Sequence, residues 1–278
     1  ESYPQSSLRS KMKYYVEEAE QTEEVQKKLD EIRYRNVNPE SIRVVEPCCG
    51  SGHIAVYVFD LLYQMYEEKG YNRRDIPTLI LKNNLVCMDV DKRAAQLTSF
   101  ALVMKARSIN PRFFSPAYYT LPQVLELLDS QLLISLEYRK RMEELKVFSK
   151  PEINEVGRLV STFTEGKTIG SLIKVPELNY ALLQDTCGRL EKQITTTFNV
   201  DFLSYGVELL RKLILQAKML VASYDVMITN PPYRPISSME KQTKDYAALY
   251  YPDSKTDMFA MFMETGFIRN NGFLAMIN

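Results

Sequence analysis

The sequence has 278 residues, 45% of them hydrophobic, which is enough for one large α/β domain or two smaller ones. Its 35 basic and 35 acidic residues cancel, which argues against a protein that binds polyanions through net charge. The four cysteines form no C-x-x-C pair, so we expect no disulfide framework and no metal site, and a reducing cytoplasm is the expected compartment. No apolar run is long enough to cross a membrane, and no signal peptide is visible.

Residues 1–40 are predicted to form an N-terminal helical segment, ahead of a catalytic domain that begins at residue 41. Apolar residues recur in this segment at an approximately helical spacing through a charged run. We interpret it as a solvated helix that packs one face on the following domain. The residues of this stripe are Met12, Tyr15, Val16, Ala19, Val25, Leu29 and Ile32.

A cofactor-binding turn is predicted after the first strand, residues 42–46. Gly50 and Gly52 allow a tight turn and a close approach of a ligand to the backbone, and the helix predicted over residues 54–69 directs free N–H groups at that ligand. The turn has two glycines and follows an acid, Glu46, so it differs from the dinucleotide motif G-x-G-x-x-G. A carboxylate at this place would repel a pyrophosphate, whereas it suits a ligand with an ammonium group or hydroxyls.

Side chains next to the turn extend the predicted site. His53 is the only histidine, and it is either a general base or, as we favour, a residue of the first helical turn that contacts the ligand or the loop. The second strand, residues 83–91, carries Asp89 near its C-terminal end, with Val90 beside it. An acid at this position accepts the ribose hydroxyls in nucleotide-binding folds. Asp91 stands where an N-cap of the next helix is expected.

Residues 108–222 are predicted to form a helical insertion. The helices predicted within it cover residues 121–128, 132–145, 153–160 and 180–222. Between them, two glycines flank polar residues over residues 163–172, which indicates a loop at the edge of the sheet.

A stiff loop with one amide and one aromatic ring is predicted after the strand at residues 224–229. The loop consists of Asn230, Pro231, Pro232 and Tyr233. Because proline cannot donate to a sheet ladder, the chain must leave the sheet here, and the two prolines fix the backbone. Ligand sites of open α/β sheets lie at this C-terminal edge.

A polar loop over residues 234–246 and a helix over residues 258–268, capped by Asp257, are predicted next. The last residues, from Gly272 onward, resemble a strand that has just begun. We therefore expect the chain to be a piece of a longer protein.

These elements together suit methyl transfer from S-adenosylmethionine, whose ammonium group and ribose hydroxyls match the acids Glu46 and Asp89. An exocyclic amine is a poor nucleophile because its lone pair is delocalised into the ring. The oxygens of Asn230 and Pro231 can accept its two N–H bonds and so localise that lone pair. Tyr233 can stack on a base that has left the duplex, and no histidine base is required.

Residues 46–53, E-P-C-C-G-S-G-H, together with N-P-P-Y at residues 230–233, resemble the amino-methyltransferases that act on adenine N6 in DNA. More closely, the chain resembles the PglX methyltransferases of bacteriophage-exclusion (BREX) systems, to which the fused restriction–methylation enzymes are related. The stretches that support this resemblance are residues 50–57, 84–91, 170–173 and 251–255. With the two motifs they span nearly the whole chain.

The resemblance implies a Rossmann-like class I S-adenosylmethionine-dependent methyltransferase fold, an α/β fold with a mostly parallel sheet and helices on both faces. It implies double-stranded DNA with a flipped adenine as the substrate, and other phage-defence proteins as partners. It also implies that the last strands and a C-terminal target-recognition domain are absent from this chain, which alone is expected to be inactive. The residues implied to bind the cofactor are Glu46, Pro47, Cys48, Gly50, Gly52, His53, Asp89, Val90 and Glu165, and the catalytic residues are Asn230, Pro231, Pro232 and Tyr233.

The chain departs from the family pattern at the turn, which usually reads D-P-A-C-G-S-G. Glu46 keeps the charge of the aspartate, whereas Cys48 is larger than the alanine, and crowding of the cofactor is one expectation. For the third cofactor acid Glu165 matches best, with Asp185 as the alternative. Two other functions stay open: methylation of glutamine amides in proteins, and a non-catalytic module that binds S-adenosylmethionine as a sensor or scaffold.

Overall fold

The computed structural model describes residues 5–12, 19–34, 37–134, 148–194 and 200–277. Its centre is a five-stranded sheet of order β3-β2-β1-β4-β5, in which every neighbouring pair is parallel. The strands are β1 (Val44–Glu46), β2 (Leu85–Asp89), β3 (Gln123–Glu126), β4 (Tyr224–Thr229) and β5 (Ile268–Met276). The predicted α/β fold with a mostly parallel sheet is confirmed.

The inner strands are apolar on both sides, as parallel sheets covered by helices on both faces require. Val44 and Leu85 contribute to one core, and their successors Val45 and Val86 contribute to the other. Successive strand residues point to opposite faces, so each short strand supplies both layers.

One face is covered by the helices that follow β1 and β2. These are α3 (His53–Glu68), α4 (Ile76–Leu79), a π-helical turn (Ile80–Asn84) and α5 (Lys92–Ile109). The buried amide of Asn84 donates to the carbonyls of Pro39 and Ile42 and accepts from the hydroxyl of Tyr66. This network joins the entry to β1, the end of α3 and the start of β2.

The other face is covered by the insertion and by the helices after β4. The insertion contains α6 (Gln131–Ile134), α7 (Lys150–Thr162), α8 (Gly166–Ile169), a 3-10 turn (Gly170–Leu172), α9 (Tyr180–Ile194) and α10 (Val200–Val221). The helices predicted over residues 153–160 and 180–222 are confirmed for the described residues. The helix predicted over residues 132–145 lies largely outside them.

The helix predicted over residues 121–128 is wrong, because this stretch contains β3. Val86 pairs with Gln123 and Asp89 pairs with Glu126 in the parallel ladder. The side chain of Gln123 also donates to the carbonyl of Lys82. Long-range pairing with β2 thus outweighs the local helical pattern.

The N-terminal segment also differs from the prediction. Within the described residues it contains two separate helices, α1 (Leu8–Lys11) and α2 (Glu23–Ile32). Helix α2 has no buried residue, and Val25 and Ile32 of the predicted stripe are exposed. Tyr15 and Val16 lie outside the described residues.

Two further boundaries change after β4. The polar loop predicted over residues 234–246 contains a 3-10 turn (Ile236–Ser238) and the first part of α11 (Lys241–Tyr250). Helix α12 (Met258–Met263) is capped by Asp257 as predicted, but it is shorter than expected because Gly266, at φ +82°, precedes the entry into β5. None of the described helices has the length and low polarity that a membrane-spanning helix needs.

Candidate active site

The predicted turn and the predicted loop lie at the same edge of the sheet. Strands β1 and β4 are direct neighbours, with Val44 paired to Val226 and Val45 to Met227. Residues 47–52 leave the end of β1, and residues 230–233 leave the end of β4. The strand order reverses between these two strands, and ligands of open α/β sheets bind at such a switch point.

The turn after β1 is held by a main-chain hydrogen bond to β2 and by a side-chain hydrogen bond from α5. The N–H of Cys49 donates to the carbonyl of Met88 at 2.9 Å. The hydroxyl of Thr98 donates to the carbonyl of Gly50, also at 2.9 Å. A Cβ atom at Gly52, whose φ is +83°, would lie 2.8 Å from the Thr98 hydroxyl oxygen and 3.0 Å from its Cα. Glycine is therefore required at position 52 by both conformation and space.

Asp89 fixes the turn from the end of β2. Its Oδ2 accepts from the N–H of Gly50 at 2.8 Å, and its Oδ1 accepts from the N–H of Asp91 at 2.8 Å. Each carboxylate oxygen retains a further lone pair that can accept from a ligand hydroxyl. Asp91 caps α5 by accepting from Arg93 and Ala94, as the sequence predicts.

Glu46 is a buried acid with one oxygen that lacks a partner. Its side chain is 1% exposed, and its Oε2 has no hydrogen-bond donor within the described part of the chain. Burial raises the pKa of Glu46 to about 8; the N–H of Ala55 in the first turn of α3 opposes this shift, and the charge of Asp89 adds to it. A buried acceptor of this kind is a site that a donor group on a ligand can satisfy.

Three further predicted cofactor residues, Pro47, Cys48 and His53, differ in burial and in their contacts. The carbonyl of Pro47 accepts from the hydroxyl of Ser171 at 2.7 Å. The thiol of Cys48 lies beside the hydroxyls of Ser171 and Thr229, and burial holds its pKa well above the usual value. His53 is the exposed first residue of α3. The effect of Cys48 on cofactor affinity stays a prediction.

The loop after β4 presents its amide and its ring at the surface. Asn230 and Pro232 are exposed, Pro231 is buried, and Tyr233 is 53% exposed. The chain beyond the loop pairs with the segment before α12, through a bridge between Pro235 and Asp257. An apolar cavity of about 330 Å³ opens between the start of α3 and the ends of β4 and β5. It is lined by His53, Ile54, Tyr57, Ile228, Ala275, Met276 and Ile277.

Glu126 is a candidate residue that the sequence analysis missed. It lies opposite Asp89 at the end of β3, its side chain is 22% exposed, and Lys167 forms an ion pair with it at 3.0 Å. Glu165 is half-buried at the start of α8, and Asp185 is exposed on α9, which packs against α7 and α10. Glu126 was missed because its stretch was predicted to be a helix. In the structure the neighbouring residues Val124 and Leu125 pack into opposite cores, as successive residues of a strand do.

A family model described as Eco57I restriction-modification methylase matches residues 83–278, which is more than half of the chain. The chain belongs to the Eco57I restriction-modification methylase family. The match within this family includes β2 with Asp89 and the loop at residues 230–233, and it begins after the turn at residues 47–52. In the described ranges of this Eco57I-type chain, no group of three or more His, Cys, Asp or Glu side chains could hold a metal ion.

Two relatives of this family member align with almost all of it. "Adenine-specific methyltransferase BrxX" of Escherichia coli O9:H4 (strain HS) is 38% identical over 297 aligned residues, which cover 100% of this chain and 24% of the relative. "Adenine-specific methyltransferase PglX" of Lacticaseibacillus casei (strain Zhang) is 34% identical over 273 residues, which cover 95% of this chain and 21% of the relative. The chain thus spans under a quarter of the length of the relatives it matches.

Proposed function

We propose that this chain is the catalytic core of a site-specific DNA methyltransferase that transfers a methyl group from S-adenosylmethionine to N6 of adenine. The observation that carries the proposal is the position of the Glu46–Gly52 turn and the Asn230–Tyr233 loop at the ends of the neighbouring strands β1 and β4. Membership of the methylase family and the names of the two relatives support it.

The residues around the turn fit S-adenosylmethionine. The unpartnered Oε2 of Glu46 suits a donor such as the ammonium of the amino-acid part, and Asp89 suits the ribose hydroxyls. Gly50 leaves the backbone open to a ligand, since no atom lies within 4 Å of a Cβ added there, and Gly52 allows the close packing of the turn on Thr98 beside the N-terminus of α3. Pro47, Cys48, His53 and Val90 adjoin these groups. When bound, the cofactor supplies an electrophilic methyl group on a sulfonium.

The loop after β4 supplies the acceptors for the target amine. The amide oxygen of Asn230 and the carbonyl of Pro231 accept the two N–H bonds of adenine N6, which localises the nitrogen lone pair. The rigid backbone of Pro231 and Pro232 aims these acceptors before the substrate arrives, so that little reorganisation is needed in the transition state. Tyr233 stacks on the flipped adenine, and in-line positioning supplies the rest of the rate enhancement.

Exposed cations follow this loop in the chain. Arg234 follows Tyr233 directly, Lys241 begins α11, and Lys255 lies in the segment that pairs with the residues after the loop. We propose that they contact the phosphates of the duplex around the flipped nucleotide, which fixes the register of the DNA without reading its sequence. The neutral net charge of the chain is compatible with such a local basic surface.

The proposed domain organisation keeps an N-terminal helical segment at residues 1–40 and a catalytic domain at residues 41–278, with the helical insertion at residues 108–222. We propose that recognition of the target sequence belongs to parts of the gene product outside this chain, since the aligned region covers under a quarter of the two relatives. The proposed biological setting is phage defence, in the cytoplasm, together with other proteins of a defence system.

Calorimetry with S-adenosylhomocysteine tests the cofactor site on this chain, and methyl transfer to DNA by the full-length gene product tests the reaction. Asn230→Ala is expected to keep the cofactor dissociation constant within about twofold and to lower methyl transfer about 100-fold or more. Asn154→Ala, at an exposed position of α7, serves as the control and leaves both unchanged. Undiminished N6-methyladenine in the Asn230→Ala product would overturn the role of Asn230.

Other products of this experiment decide between the functions. Cofactor binding without transfer to any substrate would favour a sensor or scaffold module. Label on glutamine amides of protein, with none on DNA, would favour a protein methyltransferase. Lack of cofactor binding by both the chain and the full-length product would overturn the proposed function.

A further inference from the structure

Residues 170–174 contact both halves of the candidate active site, and the inference drawn from them rests on the proposed function. This stretch, called here the linking segment, contains the 3-10 turn Gly170–Leu172, which follows α8 within the insertion. Gly170, Ser171 and Leu172 are all buried, and none of them belongs to a strand. The segment contacts the turn after β1 on one side and the elements after β4 on the other.

Towards the turn after β1, residues 47–52, called here the cofactor turn, the segment makes one buried hydrogen bond and one close packing contact. The hydroxyl of Ser171, which is 4% exposed, donates to the carbonyl of Pro47 at 2.7 Å. Gly170 has φ +64°, and a Cβ atom on it would lie 2.9 Å from Cγ1 of Val90. The segment therefore contacts Pro47 and Val90, two residues of the proposed cofactor site.

Towards the elements after β4, the segment is held by two tyrosine hydroxyls. The hydroxyl of Tyr251, which is 1% exposed, donates to the carbonyl of Leu172 at 2.6 Å. The N–H of Lys174 donates to the hydroxyl of Tyr246 at 2.7 Å. Both tyrosines have raised pKa values because they are buried, that of Tyr246 to about 12. Both hydroxyls are neutral at physiological pH, as those of ordinary tyrosines are, and the Tyr251 hydroxyl donates while the Tyr246 hydroxyl accepts.

The ammonium group of Lys174 adds a third contact. It donates to the carbonyls of Glu264 and Thr265 at 2.9 Å each, at the end of α12, and it lies 4.7 Å from the ring centroid of Tyr251. This cation is attracted to the face of the Tyr251 ring and so helps to hold the ring in place.

From Tyr251 the connection continues to the loop after β4, residues 230–233, called here the target-base loop. Tyr251 begins the stretch of residues 251–257 that leads to α12. In this stretch the carbonyl of Thr256 accepts from the N–H of Ile236 at 3.0 Å, and the N–H of Met258 donates to the carbonyl of Arg234 at 3.0 Å. Arg234 follows Tyr233 directly, so an unbroken series of contacts runs from Pro47 to the loop.

We propose that the linking segment sets the separation between the cofactor turn and the target-base loop, with Ser171 and Tyr251 as its positioning residues. The turn is held on β2 and α5 and the loop on Ile277, whereas the linking segment contacts the elements on both sides and so connects the two. Methyl transfer requires the amine and the methyl group in line, and a displacement of about 1 Å lowers such a rate about 100-fold. Loss of either hydroxyl leaves a buried carbonyl unpaired and loosens the connection.

Hydrogen–deuterium exchange without any ligand tests the connection first. Tyr251→Phe and Ser171→Ala are each expected to raise amide exchange severalfold in two places, residues 48–56 and residues 233–240. The matched controls are Tyr224→Phe and Ser130→Ala, which remove equally buried hydroxyls that donate to the carbonyls of Met219 and Val160. These controls are expected to raise exchange only near the lost hydrogen bond. A purely structural role of Ser171 and Tyr251 gives this same local pattern and would overturn the proposal.

The second measurement follows methyl transfer by the full-length gene product. Tyr251→Phe and Ser171→Ala are expected to lower the single-turnover rate constant about 10- to 100-fold, while the dissociation constant for S-adenosylhomocysteine changes less than about threefold. The double variant is expected to lose no more than the more severe single variant, because both belong to one connection. Unchanged rates, or equal losses in the two controls, would overturn the proposal.

The two proposals fail in different ways. If the wild-type protein binds no S-adenosylhomocysteine, the proposed function fails, and the exchange experiment without ligand still decides whether the segment connects the two loops. If the cofactor binds and methyl transfer proceeds, but neither Tyr251→Phe nor Ser171→Ala changes amide exchange in residues 233–240, only the positioning role fails.

Discussion

The hydroxyl oxygen of Tyr233 lies 3.0 Å from Oδ1 of Asn230. The side chain proposed to stack on the target base is thus within hydrogen-bond distance of the amide proposed to bind the amine of that base. The same hydroxyl lies 2.6 Å from the carbonyl oxygen of Ile277. A hydroxyl has a single proton, so it donates to one of these acceptors at a time. The shorter distance favours Ile277, which leaves Oδ1 of Asn230 available to a substrate amine.

Substitution of Tyr233 separates the two roles of its side chain. Tyr233→Phe keeps the ring and removes the hydroxyl, so the methyl-transfer rate is expected to change less than about threefold. Tyr233→Ala removes a stacking surface worth about 1–3 kcal/mol per base, which predicts a loss of about 10- to 100-fold in affinity for the flipped base. Single-turnover assays over a series of DNA concentrations measure both effects. Equal losses in the two variants would mean that the hydroxyl, and not the ring, carries the function.

Substitution of Glu46 is expected to stabilise the protein at alkaline pH. The pKa of this acid is raised from 4.5 to about 8 in the folded chain, so the folded state holds a proton that the unfolded state has released. The contribution of Glu46 to stability is therefore fully present below about pH 4.5 and falls as the pH rises to about 8, by about 3 kcal/mol between pH 5 and pH 8. Glu46→Gln removes this loss, and urea unfolding at several pH values measures it.

The control for this experiment is Glu177→Gln, which changes an exposed carboxylate. It is expected to leave the pH dependence of the wild type intact. The Glu46→Gln variant is also expected to lose affinity for S-adenosylhomocysteine above about pH 8, where Glu46 is a carboxylate and attracts an ammonium group more than an amide does. A variant that unfolds with the wild-type pH profile would show that Glu46 titrates normally.

Gly52→Ala is expected to abolish cofactor binding and to destabilise the chain. The new methyl group would meet the side chain and the backbone of Thr98, in addition to the strain of a positive φ. Gly70→Ala provides the matched control, since Gly70 has φ +79° and no atom lies within 4 Å of its added Cβ. The control should lose only the conformational term, about 1–2 kcal/mol. Similar unfolding free energies for the two variants would argue against close packing of the turn on α5.

Glu126 and Glu165 compete for the role of the third cofactor acid, and Asp185 is the remaining alternative. Glu126 lies opposite Asp89 in the ladder, whereas Glu165 precedes α8 and Asp185 lies on the exposed side of α9. We expect Glu126→Gln to weaken binding of S-adenosylhomocysteine about tenfold, and Glu165→Gln and Asp185→Asn to leave it within twofold. Calorimetry of the three variants provides the ranking. A larger effect at position 165 would restore the prediction made from the sequence.

Local patterns were sufficient for the main elements of the site. The strand before Glu46, the glycine turn, the strand that ends near Asp89 and the break at Pro231 and Pro232 all depend on residues close in sequence. Turn glycines, strand runs and prolines act through backbone geometry within a few residues, so they can be recognised without the fold. The capping roles of Asp91 and Asp257 follow from the same local rules and are present in the structure.

Contacts between distant residues decided the rest. The stretch of β3 has a helical pattern of apolar residues, and its partner β2 is separated from it in the chain by α5 and a loop. Only pairing with β2 makes this stretch a strand and places Glu126 opposite Asp89. Residues 163–172 were predicted as a loop at the sheet edge, but they contain α8 and the buried 3-10 turn of the linking segment. The contact of this segment with Pro47 spans 124 positions and its contact with Tyr251 spans 79. A hydrogen bond of a buried hydroxyl leaves no periodic trace in the sequence. Such a bond exists only where the folded chain brings the donor and the acceptor together and excludes water, which makes both of them costly to leave unpaired.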